Sequence, residues 1–322
     1  MQHDKLALIA DVHGNLPALR AVIGDAKSRG ATRWLLLGDY ITDFPYPNEV
    51  AELLQTLENA VIIRGNKEER YANMRGENPD WLALEQMAPA RWNLRELTDA
   101  NADYLFGLPD TAEFEFGGER VYATHSIREI CPLASKVREV NSSRWYRDKM
   151  FEKPFSRSEY PAIANAAIDA SPTVTAQISA LPRGVYAFGH NHIQQHFRRG
   201  DTLLVNPGSC GFATDFAIGA PYTMLTAANG EIRVEELRVA YDIDALIDTL
   251  KKSTLYVAAS IWCETVARTI QTGADLVGHF LHHAQDVGAM LGDTDYPVSD
   301  ATWRRAWATW VDPTVGNNGT FA

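Results

Sequence analysis

Apolar residues along this chain gather in short runs that stop abruptly at polar clusters: 6–10, 34–37, 61–64, 120–124, 185–188 and 202–205. Runs this short, rich in β-branched residues and leucine, read as strands buried on both faces. Between the first three the period changes. Leu16, Leu19, Val22 and Ile23 form one stripe at helical spacing, and Val50, Leu53, Leu54 and Leu57 form another. Gly30 is a stop signal for the first helix, and Asn48-Glu49 after Pro47 is a start signal for the second. Strand, helix, strand, helix, strand predicts an α/β domain whose parallel sheet is joined by right-handed crossovers.

The alternation breaks at 79–106, a stretch of helical character that ends at Leu108-Pro109 before a hairpin turned by Gly117-Gly118. Residues 127–180, with Trp145, Tyr146, Phe151 and Phe155, interrupt the strand series and are expected to form a cap or lid over a site. From Tyr241 the pattern is helical again, with one long run over 254–291, and Trp303, Trp307 and Trp310 are spaced for one helix face. The predicted division is a main domain of 1–240, carrying the 127–180 insertion, and a C-terminal helical extension of 241–322.

A chain of 322 residues with 46% hydrophobic and 22% charged positions can bury a sizeable core. Its formal charge of -11 gives no footing on a nucleic-acid backbone, so long DNA or RNA is not an expected partner. A small anionic substrate remains compatible, because bound cations reverse the field inside a site. Cys131, Cys210 and Cys263 are odd in number and lack CxxC spacing, which argues against disulfides and a thiolate zinc site and points to a reducing cytoplasm. No run is long enough to span a bilayer and none before Asp11 suffices for a signal peptide, so no membrane association is expected.

Five of the six strands run directly into a residue that can bind a metal: Asp11-Val12-His13, Gly38-Asp39, Gly65-Asn66, Thr124-His125 and Gly189-His190-Asn191-His192. In an open parallel sheet the strand C-termini line one edge, where ligands bind, so these side chains are expected to converge. Asp11 and His13 are two apart, as are His190 and His192, and in extended chain each pair points to one side. The preceding glycines permit close approach of neighbouring groups. Carboxylate, imidazole and amide oxygen together suit Mn, Fe, Zn or similar divalent ions, not a calcium cage or a thiolate zinc knuckle. A dinucleotide-binding oxidoreductase is disfavoured, since no GxGxxG follows the first strand.

The ordered series DVH, GDY, GNKE, TH and GHNH resembles the calcineurin-like metallophosphoesterase superfamily over roughly residues 6–215, and DVHGN with Asn206-Pro207-Gly208-Ser209 resembles its bacterial branch. The resemblance implies a sandwich of two mixed β-sheets flanked by helices, and a hydrolase of phosphate esters acting on a small phosphorylated substrate, a phosphodiester or nucleotide-type molecule. It also implies two divalent metal ions. Asp11, His13, Asp39 and His192 would hold one; Asp39 would bridge to a second held by Asn66, His125 and His190. Two such ions can share a hydroxide and present it for in-line attack. Lys67 departs from the family pattern, standing where the family has the histidine that stabilises the phosphoryl group and protonates the leaving oxygen. Three readings are open: Lys67 clamps phosphate in a working enzyme, acts as an acid with a lowered pKa, or marks a weakened site in a binding or regulatory module. Around these residues, Asn15 reads as a helix N-cap, Cys210 as a small buried residue, and His279 with His282 as a solvated helix face.

Overall fold

The structure is a computed structural model and describes residues 4–76 and 79–315. Among the described residues there are ten strands: β1 (Asp4–Ile9), β2 (Arg33–Leu36), β3 (Ala60–Ile62), β4 (Thr111–Phe116), β5 (Glu119–Thr124), β6 (Gly184–Ala187), β7 (Gln195–Arg199), β8 (Thr202–Asn206), β9 (Ala220–Ala228) and β10 (Glu231–Val239). They form two five-stranded sheets, ordered β10-β9-β1-β2-β3 and β4-β5-β6-β8-β7. The parallel pairs β1–β2 and β2–β3 match the predicted crossovers, with Leu8 beside Leu35 and Leu35 beside Val61. β9 and the outer strands β4, β7 and β10 are antiparallel to their neighbours, so both sheets are mixed.

The unbroken apolar runs follow from burial on both faces. Leu6, Leu8, Leu35 and Leu37 meet Val121, Ala123, Val185 and Leu203 of the other sheet in a shared core. Their neighbours Ala7, Ile9 and Leu36 turn the opposite way, onto Leu19, Val22 and Val50 of the helices Leu16–Ser28 and Pro47–Gln55. On the far side, Tyr186, Phe188, Phe197 and Leu204 pack against Tyr146, Tyr160, Ile168 and Ile178 from the 127–180 segment. The result is four layers, helices–sheet–sheet–helices. The 127–180 segment is therefore the outer helical layer of the second sheet, and it reaches the clefts described below with Arg128, Glu129 and Ser143.

Several elements depart from expectation. Strands β7 and β10 are not legible as apolar runs because each carries charge, as in Glu231-Ile232-Arg233-Val234, and in β9 Pro221, Thr223 and Thr226 interrupt the apolar residues. The helical run over 254–291 is three helices, Thr254–Ala258, Ser260–Thr272 and Leu276–Leu291. Gly273 ends the second in a left-handed conformation, φ 70°, and the Asp275 side chain caps the third by accepting from the Gly278 amide at 2.8 Å. The 79–106 stretch likewise divides, into Ala88–Glu96 and Asp99–Phe106 behind two 3-10 turns, with Thr98 as the cap between them. Trp303 is buried, and with Trp307 and Trp310 it surrounds Phe280. All three cysteines are buried and unpaired. No helix among the described residues is long and apolar enough to cross a membrane, and residues 316–322 of the predicted extension lie outside the described residues.

Candidate metal centre

The strand ends do meet, but not as extended chain. Asp11 and His13 donate their amides to the carbonyls of Gly38 and Asp39, each at 3.0 Å, zipping the loops after β1 and β2 together. Asp11, His13, Asp39, His190 and His192 all take left-handed backbone angles, with φ between 54° and 74°. The same-side argument from extended geometry is thus corrected: the side chains converge because the loops curl. Such backbone costs on the order of 1–3 kcal/mol per residue and persists only where its surroundings enforce it. Here enforcement is steric and polar. A Cβ on Gly38 would lie 2.4 Å from the Gly65 nitrogen, and one on Gly65 would lie 2.2 Å from Asp39 Oδ1. The fully buried Glu68 carboxylate accepts the amides of Asp39, Tyr40 and Gly65 at 2.8–2.9 Å and so ties the second and third loops. Its burial and the charge of Asp39 push its pKa up to about 7, against the pull of those amides.

All seven predicted ligands gather in one place. Asp11, His13 and His192 form one triad able to hold an ion, and Asp11, Asp39 and His125 form another. Asn66 Oδ1 stands 3.0 Å from His125 Nε2 and 2.8 Å from His190 Nδ1. The imidazole tautomers follow from the outer contacts. His125 Nδ1 donates to the Leu37 carbonyl at 2.6 Å, His192 Nδ1 to the Phe212 carbonyl at 3.0 Å, and His13 Nδ1 to the Asp43 carboxylate at 2.5 Å. In the neutral rings each Nε2 is then a bare lone pair. These lone pairs face one another and the carboxylates: His13 to His192 at 3.2 Å, His192 to Asp11 at 3.4 Å, His125 to Asp39 at 3.5 Å.

Acceptors alone cannot satisfy one another. Asp11 Oδ1 is buried without a hydrogen-bond partner among the described residues. Burial raises the Asp11 and Asp39 carboxyls, yet the neighbouring rings outweigh it and hold both below the usual range. Burial likewise lowers His125, but Asp39, Asp11 and the Leu37 carbonyl push it up to about 10. His190, its ring partly desolvated by the cluster and set beside that charged ring, falls to about 4. The cluster draws positive charge onto itself, which is the requirement that a divalent cation meets.

A sequence profile described as calcineurin-like phosphoesterase matches residues 5–194. The chain belongs to that family. It is therefore a metallophosphoesterase, a hydrolase of phosphate esters in a family that uses divalent metals. It is 26% identical over 255 residues to an uncharacterized protein of Methanocaldococcus jannaschii, covering 79% of this chain and 95% of that one. Two solved structures share the fold. A metallophosphoesterase from Sphaerobacter thermophilus has a TM-score of 0.57 at 20% identity, over 84% of this chain and 100% of the other. A hypothetical protein from Pyrococcus horikoshii has a TM-score of 0.56 at 21% identity, over 84% and 98%.

Within this phosphoesterase two clefts open onto the cluster. One, of about 250 Å³, is lined by His13, Lys67, His192, Phe212, Trp262 and Leu281 among others. The second, of about 450 Å³, carries Arg64, Thr124, Ser126 and Arg128, and the two share Asn66 and His190. Lys67 sits at the start of the helix Asn66–Met74; its amide donates to Asp39 Oδ1 at 2.8 Å, and its side chain lines the smaller cleft. Asn206, in the Asn-Pro-Gly-Ser turn, donates to the Gly189 carbonyl and Asn191, and Ser209 donates to the Asp11 carbonyl at 2.7 Å, so that turn braces two ligand loops.

The bystanders fall into place. Asn15 Oδ1 caps the first helix, and Tyr40 is a buried strut that accepts from Gly38 and donates to Ile63. Cys210 is buried beside Asp11, which pushes its thiol well up and away from nucleophilic use. His279 and His282 are not a solvated face: His279 accepts from Trp310 at 2.9 Å and His282 from Arg147 at 3.3 Å. Sequence reading missed Asp43 and Trp262. Asp43 lies four residues past Asp39 in a loop with no strand-end signal, and Trp262 is remote in sequence.

Proposed function

We propose that the protein hydrolyses small phosphodiesters with two divalent cations, Mn, Fe, Zn or similar, held side by side in this cluster. Asp11, His13, Asp39 and His192 would hold one, and Asn66, His125 and His190 the other, with Asp39 bridging and Asp11 beside it. Cations so placed supply an activated water for in-line attack and neutralise charge on the phosphoryl oxygens. The protein's own groups do the rest. Asn66 orients the phosphoryl group by its amide, and Lys67 adds positive charge and hydrogen bonds from the wall of the smaller cleft. An ammonium is a poor proton donor near neutrality, so the reaction relies on esters whose leaving groups depart without a strong acid.

The observation that carries the diester reading is the pair of clefts meeting at Asn66 and His190. A phosphodiester has two arms, and a centre open on two sides accommodates both. Steady-state kinetics with bis(p-nitrophenyl) phosphate and p-nitrophenyl phosphate test this. The diester is expected to have the higher kcat/KM by at least roughly tenfold, the lower end of what one filled subsite contributes. A monoester turned over as fast as the diester would sink the two-arm assignment. Lys67 also favours a second reading, a module that binds phosphorylated ligands without turnover; tight binding of phosphate esters with no product would establish it.

A further inference from the structure

The helices after residue 253 supply more than bulk. Trp262, on the helix Ser260–Thr272, donates its indole N–H to Asp43 Oδ1 at 2.7 Å, while the other oxygen of that carboxylate accepts from His13 Nδ1 at 2.5 Å. Asp43 is 3% exposed, and both of its oxygens are taken. Its backbone joins in: the amides of Asp43 and Phe44 both donate to the His13 carbonyl at 3.0 Å. Phe44 in turn is buried in the cluster formed by Cys263, Val266 and Ile270 of the Trp262 helix.

We propose that Trp262 is a positioning residue for the metal centre, acting through Asp43 to fix the ring and tautomer of His13, and that the C-terminal extension thereby supports a site whose candidate ligands all lie within the first 192 residues. The inference rests on the reading of His13 as a metal ligand. Indole nitrogen can only donate, so it requires an acceptor at Oδ1 and leaves Oδ2 to accept from His13. With Nδ1–H committed to Asp43, His13 must present Nε2 as a lone pair toward Asp11 and His192. Without the indole, a buried carboxylate held from one side can rotate or swing, and the His13 ring with it. The family profile ends at residue 194, so the indole that makes this contact lies outside the matched span.

The test is isothermal titration of the metal-stripped full-length protein with Mn²⁺. Trp262→Phe keeps the ring and removes the N–H. It is expected to weaken Mn²⁺ binding roughly 10- to 100-fold, as outer contacts of metal-binding histidines do, with circular dichroism unchanged. In an Asp43→Ala background the same change is expected to add nothing, because the link is already cut. Unaltered affinity in Trp262→Phe, or an equal loss in the Asp43→Ala background, overturns the proposal and leaves the proposed function standing. Wild-type protein that binds no Mn²⁺ overturns both.

Discussion

At the scale of single residues, the site is a place where local rules are broken together. Five acidic or imidazole residues adopt backbone angles that ordinary side chains avoid, and three Nε2 lone pairs face other acceptors. Neither arrangement stabilises the fold by itself, and the facing acceptors are a donor set that suits a cation. Gly65→Ala is expected to force a Cβ against Asp39 and to destabilise the protein by about 1–3 kcal/mol, the usual cost of overpacking, read from denaturant unfolding. An unchanged midpoint would mean that the loops have slack. Lys67→His is expected to raise turnover of esters with poor leaving groups at least roughly tenfold relative to nitrophenyl esters, since a positioned general acid contributes roughly 10²–10⁴. Equal effects on both substrate types would show that residue 67 does not face the leaving oxygen. The seven candidate ligands were readable because each stands at or within two residues of the point where an apolar run gives way to polar chain, four of them directly after a glycine or threonine. Asp43 was not, because a carboxylate in a loop looks like any solvated residue until its burial is known.

Elements that position the site were legible to different degrees, for identifiable reasons. β1, β2, β6 and β8 are buried on both faces over most of their length, and an unbroken apolar run is the signature of that burial; β3, a half-buried edge strand, and β5 showed enough of it to be read. β9 and β10 escaped although Asn229-Gly230 stands between them, with both residues left-handed at φ 53° and 78°; that dipeptide is the strongest short-range hairpin signal. The break at Gly273 escaped because a lone glycine within a helical pattern reads as a weak spot and not as a cap. Its substitution gives a test: Gly273→Ala is expected to lower stability by about 1–3 kcal/mol, since the added Cβ meets the Ala217 nitrogen at 2.7 Å in a left-handed conformation. Thermal melts unchanged by this substitution would show that the helix junction relaxes freely.

For the whole molecule, the four layers bring strand ends from both sheets to one edge, and the C-terminal helices close over that edge. Phe44, Ala88, Trp92 and Phe212 of the main domain share a core with Leu250, Cys263, Val266 and Ile270 of the extension. The extension is thus not an independent appendage. Truncation after residue 240 is expected to expose this core and increase binding of a hydrophobic dye, read by fluorescence; a truncated chain that stays folded and dye-free would show that the interface is dispensable. A formal charge of -11 sits comfortably with phosphate-ester chemistry only if the centre carries its own positive charge. The most direct measurement is therefore hydrolysis of bis(p-nitrophenyl) phosphate by metal-stripped protein titrated with Mn²⁺, with Asp39→Asn run alongside. Activity that rises with metal and is lost in the variant is the expected result. Two ions bound per chain with no hydrolysis at any metal concentration would contradict it and leave a phosphate-binding module in its place.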